Sequence, residues 1–265
     1  MKILVTFALE AEFAPWRALR EFRVGNYGAA DAYLADIHSA ELAVVLTGAG
    51  PRQAAKQASK AIRAESDSLS ACVSSGLAGG LRPEYGLGQV LAARNVFSEE
   101  PRGDQGLQLL PSSKPLISFA EDQGATVVER FHTAARVVVT AEEKRQLGAS
   151  ADAVEMESFE ILRVAAANGI PAVAIRAISD VAGENLPLGV NGIFTDEGQV
   201  SIARVVGQVA RHPQSISSLV KLGQQSKLAA ESLTRFLDRY VGTLVKRTQS
   251  LESKVMAGAD DRNNH

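Results

Sequence analysis

Residues 154–161 read Val-Glu-Met-Glu-Ser-Phe-Glu-Ile, and after a short helix-like interval residues 171–183 read Pro-Ala-Val-Ala-Ile-Arg-Ala-Ile-Ser-Asp-Val-Ala-Gly. The apolar run 172–178 has the length and composition of a buried strand, and Asp180 stands just past it. Glu155 and Glu157 stand where a helix opens. A strand's carboxyl end and a helix start are both places where ligands collect in open α/β sheets. Two acids delivered into one crevice point to a division of labour, one carboxylate holding a hydroxyl-rich ligand and the other passing a proton. The plainer alternative is that Glu155 and Glu157 complement the helix dipole while Asp180 starts a turn.

Upstream, the chain alternates between strand and helix patterns. The run 3–8 is apolar, and residues 9–20 follow with acids early, arginines late and Phe13, Trp16 and Leu19 at helical spacing, so Glu12 falls at a strand-to-helix hinge. Strands are expected at 33–35, 42–47, 71–74, 89–96 and 131–140, with a helix from Pro51 through Arg63 and a short helix or turn at 141–147. This alternation predicts a layered α/β/α domain around a central, largely parallel sheet. Small residues crowd at Ser75-Gly76-Leu77-Ala78-Gly79-Gly80, where the backbone approaches either a ligand or another strand closely. Gly48-Ala49-Gly50 lacks the full dinucleotide spacing, so a nicotinamide cofactor has little support.

Residues 97–123 are rich in proline and glycine and read as an irregular active-site or subunit-facing loop. Long helices are expected at 200–211 and 216–240, and the polar stretch 250–265 reads as a frayed or disordered tail after a single domain spanning 1–249.

The 265 residues suffice for one large domain, and 46% hydrophobic with 22% charged residues is the balance of an ordinary globular protein. A net charge of −2 gives no reason to expect nucleic acid or an anionic membrane as partner. The single cysteine, Cys72, excludes an intramolecular disulfide, and the four histidines are scattered, so no metal site is expected. An amino terminus that reads as a first strand, with no cleavage site and no membrane-length apolar run, makes a cytoplasmic location the expectation.

Four motifs occur in order: Ala8-Leu9-Glu10-Ala11-Glu12, Gly76-Leu77-Ala78-Gly79-Gly80-Leu81, Val154-Glu155-Met156-Glu157 and Arg176-Ala177-Ile178-Ser179-Asp180. Together they resemble the nucleoside phosphorylase/hydrolase superfamily, with the nearest look to the methylthioadenosine/S-adenosylhomocysteine nucleosidases. The resemblance covers roughly residues 1–185 and implies a three-layer α/β/α fold on a mixed sheet, acting on the N-glycosidic bond of a purine nucleoside, without a cofactor. It further implies that Glu12 deprotonates the attacking water and that Asp180 protonates the base at N7 as it leaves. Ser179 and Arg176 would support the site, Glu157 would bind the ribose hydroxyls, Met156 would floor the sugar, and Ala78 and Gly79 would form the loop beside sugar and base. Members of the superfamily are commonly oligomers, so a homo-oligomer, with a dimer favoured, is expected.

The phosphorolytic branches carry a Gly-Asp-Pro-type loop where this chain has Leu9-Glu10-Ala11-Glu12, and an added carboxylate repels phosphate, so hydrolysis is expected. A phosphate-dependent phosphorylase and a silent nucleoside-binding sensor are the alternatives. Two departures bear on the substrate: Leu77 replaces a usual serine, and Thr140-Ala141-Glu142-Glu143-Lys144 replaces an aromatic base-stacking segment. A 5′-substituent other than methylthio fits these departures.

Overall fold

A computed structural model describes residues 1–63, 65–98, 108–187, 189–201, 203–205, 207 and 216–260. In chain order the elements are β1 (Lys2–Phe7), α1 (Glu10–Leu19), β2 (Arg23–Tyr27), β3 (Ala30–Ile37), β4 (Ala40–Leu46), α2 (Pro51–Ile62), β5 (Leu69–Ser74), β6 (Leu77–Gly80) and β7 (Val90–Ser98). They continue with β8 (Leu109–Pro111), α3 (Lys114–Asp122), β9 (Thr126–Thr133), α4 (Ala141–Leu147), β10 (Ala153–Glu155), α5 (Ser158–Ala167), β11 (Ala172–Asp180), a 3₁₀ turn (Val190–Ile193) and α6 (Ile216–Asp260).

The strands form one mixed sheet in the order β2-β3-β4-β1-β5-β11-β6-β10-β9-β7-β8, with a further pairing between β11 and β7. The centre is parallel, β4, β1, β5 and β11 running together, whereas β2 and β3 enter as an antiparallel meander. β11 sits at the seam. Its first half pairs with β5 on one side and β7 on the other, and its last residues pair with β6. Strands β11, β6, β10, β9 and β7 therefore close a ring. All nine residues of β11 are buried, which is why the sequence there is mostly apolar rather than alternating, broken only by Arg176 before the polar end Ser179-Asp180.

Helices cover both faces. α2 and α5 pack Ala54, Ala58, Ile62, Phe159 and Leu162 against one side of the sheet. α1, α3 and α6 pack Phe13, Trp16, Leu116, Leu233, Phe236 and Tyr240 against the other. The result is the expected three-layer α/β/α arrangement. Among the described residues no helix is long and apolar enough to cross a membrane.

Several elements differ from their expected bounds for physical reasons. The strand expected at 131–140 lies at Thr126–Thr133, and of the apolar residues after it Val137 and Val138 line a cavity instead of pairing in the sheet. Of the irregular stretch 97–123, residues 109–122 are a short strand and then helix α3, whose Pro115 sits in the first helical turn, where proline is tolerated; residues 99–107 lie outside the described residues. The helix expected at 200–211 is seen at 203–205, with most of its remainder outside the described residues. Of the stretch expected as a tail, 250–260 continue α6 as far as Asp260, and 261–265 lie outside the described residues.

Candidate active site

Strand β1 delivers the chain to α1, and the turn between them builds the first acidic position. Glu12, in the first turn of α1, folds back so that Oε2 accepts the N–H groups of Ala8 (2.9 Å) and Leu9 (3.2 Å). Its Oε1 accepts the N–H of Leu77 (3.2 Å) from β6. Gly76, at φ +144°, lets the β5–β6 connection press against this carboxylate; a Cβ there would lie 3.3 Å from Oε2. Burial pushes the Glu12 carboxyl up, opposed by the Arg176 charge and by the three backbone donors.

The motif at 154–157 divides its two acids. Glu155 ends β10 rather than opening the helix, and its Oε2 accepts the N–H groups of Glu157 (2.9 Å) and Ser158 (2.7 Å) at the amino end of α5. The same oxygen takes a 2.6 Å contact from the Arg176 guanidinium, and Oε1 accepts the Thr133 hydroxyl. Glu155 is thus a helix cap and the partner of a buried cation. Glu157 is held more loosely: Gly50 N–H donates to Oε1 at 2.9 Å, and Arg176 stands 3.7 Å from Oε2. Burial and then the Glu155 charge raise the Glu157 carboxyl to about 8.

Asp180 closes β11. Ser179 Oγ lies 3.0 Å from Asp180 Oδ2 and 3.3 Å from the Ala78 carbonyl oxygen. Gly79 passes so near that a Cβ on it would stand 3.0 Å from Asp180 Oδ1. The Gly-rich stretch therefore approaches both β11 and the two carboxylates Glu12 and Asp180.

Asp180 has a partner that sequence reasoning missed. Lys144, on α4 and fully buried, forms an ion pair with Asp180 Oδ1, and its Nζ donates to the carbonyl oxygens of Val181 (3.1 Å) and Glu184 (3.0 Å). Lys144 belongs to the segment that replaces an aromatic wall. Thr140 caps α4 by accepting the N–H of Glu143 at 3.1 Å, and one turn later the helix sends Lys144 inward. A run of Glu, Glu, Lys, Arg and Gln reads locally as a solvated face, so no signal in it distinguished this lysine.

These side chains meet in a cavity of about 420 Å³. Glu12, Ala78, Gly79, Met156, Glu157, Ser179 and Asp180 all line it. Arg176 does not: it is 0% exposed and lies behind the wall, bonded to Ser74, Glu155 and its own strand. Arg176, expected to support the site, thus stands behind the residues that line the cavity. The far wall is apolar and comes from parts of the chain that carried no motif, including Val138, Leu186, Ile193, Phe194, Leu219 and Leu222. The cavity thus has an acidic end on the sheet's carboxyl edge and an apolar end under α6.

The fold has known relatives among solved structures. Futalosine hydrolase of Helicobacter pylori superposes with a TM-score of 0.70 at 18% identity, over 91% of this chain and 98% of that one. The 5′-methylthioadenosine/S-adenosylhomocysteine nucleosidase of Neisseria meningitidis, in complex with methylthio-immucillin-A, gives 0.69 at 21% identity, over 91% and 99%. The S-adenosylhomocysteine nucleosidase of Streptococcus pyogenes, in complex with 5-methylthiotubericidin, gives 0.69 at 18% identity, over 92% and 97%. At these identities the likeness is one of fold. The family model described as the phosphorylase superfamily matches residues 2–211, so the chain belongs to the phosphorylase superfamily.

Proposed function

We propose that the protein hydrolyses the N-glycosidic bond of a 5′-modified purine nucleoside and releases the free base. The observation that carries this reading is the convergence of Glu12, Glu157 and Asp180 on one cavity, each in a different environment. Cleavage of a glycosidic bond develops positive charge on the sugar, so nearby carboxylates stabilise the transition state, while the leaving base needs a proton.

In this reading Glu12 is the base. Oε1 accepts one backbone donor, from Leu77, and keeps a lone pair for a water aimed at C1′. Burial makes Glu12 a stronger base than an exposed carboxylate, and the backbone donors hold it in one orientation. Glu157 faces the ribose hydroxyls over the Met156 side chain, and Asp180, oriented by Ser179, serves the purine at N7. Arg176 acts from behind by fixing Glu155 and, through the α5 cap, Glu157. The apolar wall suits a 5′-substituent that leaves water, and the fold relatives whose names specify 5′-methylthioadenosine or futalosine as substrate support a 5′-modified nucleoside.

Four acids line the cavity, Glu12, Glu155, Glu157 and Asp180, and the ionised ones among them favour water over phosphate. The arginine that lines it, Arg136, is engaged with Glu143 on α4.

The test is chromatographic detection of free base from methylthioadenosine, S-adenosylhomocysteine, adenosine, inosine and futalosine, with and without phosphate. Base release independent of phosphate is expected. Release that requires phosphate would overturn the role of Glu12 and make the protein a phosphorylase.

A further inference from the structure

We propose that Lys144 is a positioning residue that supplies, through Asp180, the proton taken up by the leaving base; this rests on the assignment of Asp180 as the leaving-group acid. Three observations carry it. Lys144 is 0% exposed and lines no part of the cavity, so it touches no substrate, yet its ammonium meets the one acid at the base end of the site. Burying a cation and a carboxylate is unfavourable unless each is satisfied, so such a pair is retained at a cost in stability that an apolar pair would avoid. And the partners of Nζ fit both protonation states.

The third point is the most specific. As an ammonium, Lys144 donates to Asp180 Oδ1, Val181 O and Glu184 O. As a neutral amine it keeps two N–H groups, which the two carbonyl oxygens accept, and turns its lone pair toward Asp180. With the proton on Asp180 Oδ1, that O–H donates to the amine lone pair and both carbonyl oxygens keep an N–H donor; once the proton has gone on to the base, the amine lone pair faces an ionised carboxylate, which draws a proton back to the pair.

The step balances as follows. A proton moves from Nζ to Asp180 Oδ1, and the carboxylic acid gives it to purine N7 as the C1′–N9 bond breaks with its electron pair going to the base. Water forms the new bond to C1′ and its proton goes to Glu12. The site ends with neutral Lys144, ionised Asp180, protonated Glu12 and a neutral base, so its net charge is unchanged. Solvent returns a proton from Glu12 to Lys144 after products leave.

The experiment compares Lys144→Gln, Asp180→Asn and the double variant Lys144→Met/Asp180→Asn with the wild type. Substrates are the purine nucleoside that releases base fastest and 4-nitrophenyl β-D-ribofuranoside, whose leaving group needs no proton. Lys144→Gln keeps a hydrogen bond to Asp180 but cannot give up a proton. It is expected to lower kcat on the purine nucleoside by about a hundredfold, with KM and nitrophenol release little changed. Near wild-type kcat in Lys144→Gln, or equal losses on both substrates, overturns the proposal.

The double variant removes both buried charges and keeps a foldable site. It is expected to be no slower than Asp180→Asn alone, because Lys144 acts only through that carboxylate. A further loss in the double variant overturns the proposal even if the nitrophenyl riboside is not turned over. Equal losses on both substrates in Asp180→Asn itself would instead sink the acid assignment on which the proposal rests.

Discussion

Glu12, Glu157 and Asp180 share one cavity, and their surroundings make them chemically unequal. Glu12 is tied by backbone donors, Glu157 is raised by burial and by Glu155, and Asp180 is tied to a buried ammonium. Glu12→Gln and Asp180→Asn are therefore expected to lower kcat by about a hundredfold or more, with the folded state intact by circular dichroism. Glu157 carries a pH prediction. Its carboxyl titrates near 8 in the folded protein, against the ordinary glutamate value of 4.5. Between those values the native state holds a proton that the unfolded state has released, so the contribution of Glu157 to stability is fully present below about pH 4.5 and is lost as pH rises through about 8. The groups that face Glu157 are Glu155, Glu12 and Arg176, of which the acids add to the effect and the arginine opposes it. Melting temperature is expected to decline from pH 5 to pH 8 in the ligand-free protein, and Glu157→Gln should flatten most of that slope. An unchanged slope in the variant would show that Glu157 is ionised throughout. At this scale the acids were legible because each stands at the end of a strand or the start of a helix. Lys144 was not, because only the tertiary docking of α4 turns one residue of a polar run inward.

At the scale of elements, the site depends on how β10 hands over to α5. Glu155 joins three things at once: the first N–H groups of α5, the Thr133 hydroxyl of β9 and the Arg176 guanidinium of β11. Removing its charge strands a buried cation and loosens the helix start together. Glu155→Gln is expected to cost about 3–5 kcal/mol, seen as a melting temperature lower by roughly 10 °C for a chain of this length. The exposed pair Arg23–Asp36 between β2 and β3 is the control, and Asp36→Asn should change melting little. Comparable shifts in the two variants would mean that Glu155 is not the junction's anchor. Strand β11 was legible because burial on both sides leaves an apolar run with a polar end. The edge strand β2 was not, since Arg23 to Asn26 are largely exposed and only Tyr27 turns inward, leaving no alternation to read. Val137 and Val138 misled in the opposite direction, being apolar for the sake of a cavity rather than a ladder.

At the scale of the molecule, α6 serves two masters along one helix. Its first turns bring Leu219 and Leu222 to the apolar end of the cavity. Its middle buries Leu233, Leu237, Tyr240 and Val241 against α1 and the sheet, and Tyr240 donates its hydroxyl to Leu116 O at 3.0 Å. The sequence announces a long amphipathic helix but not this change of role, because helical period records burial and does not say whether a ligand or a protein face provides it. The two halves should separate under mutation. Leu237→Ala removes side-chain volume from a fully buried position and is expected to cost about 2–5 kcal/mol of stability, with kcat and KM unchanged at temperatures where the protein is folded. Leu222→Ala, half-buried at the cavity wall, should leave melting nearly unchanged and raise KM for substrates with an apolar 5′-group. It should have little effect on nucleosides with a free 5′-hydroxyl. A parallel rise in KM for both substrate types would place the 5′-group elsewhere and leave α6 as a purely structural cover.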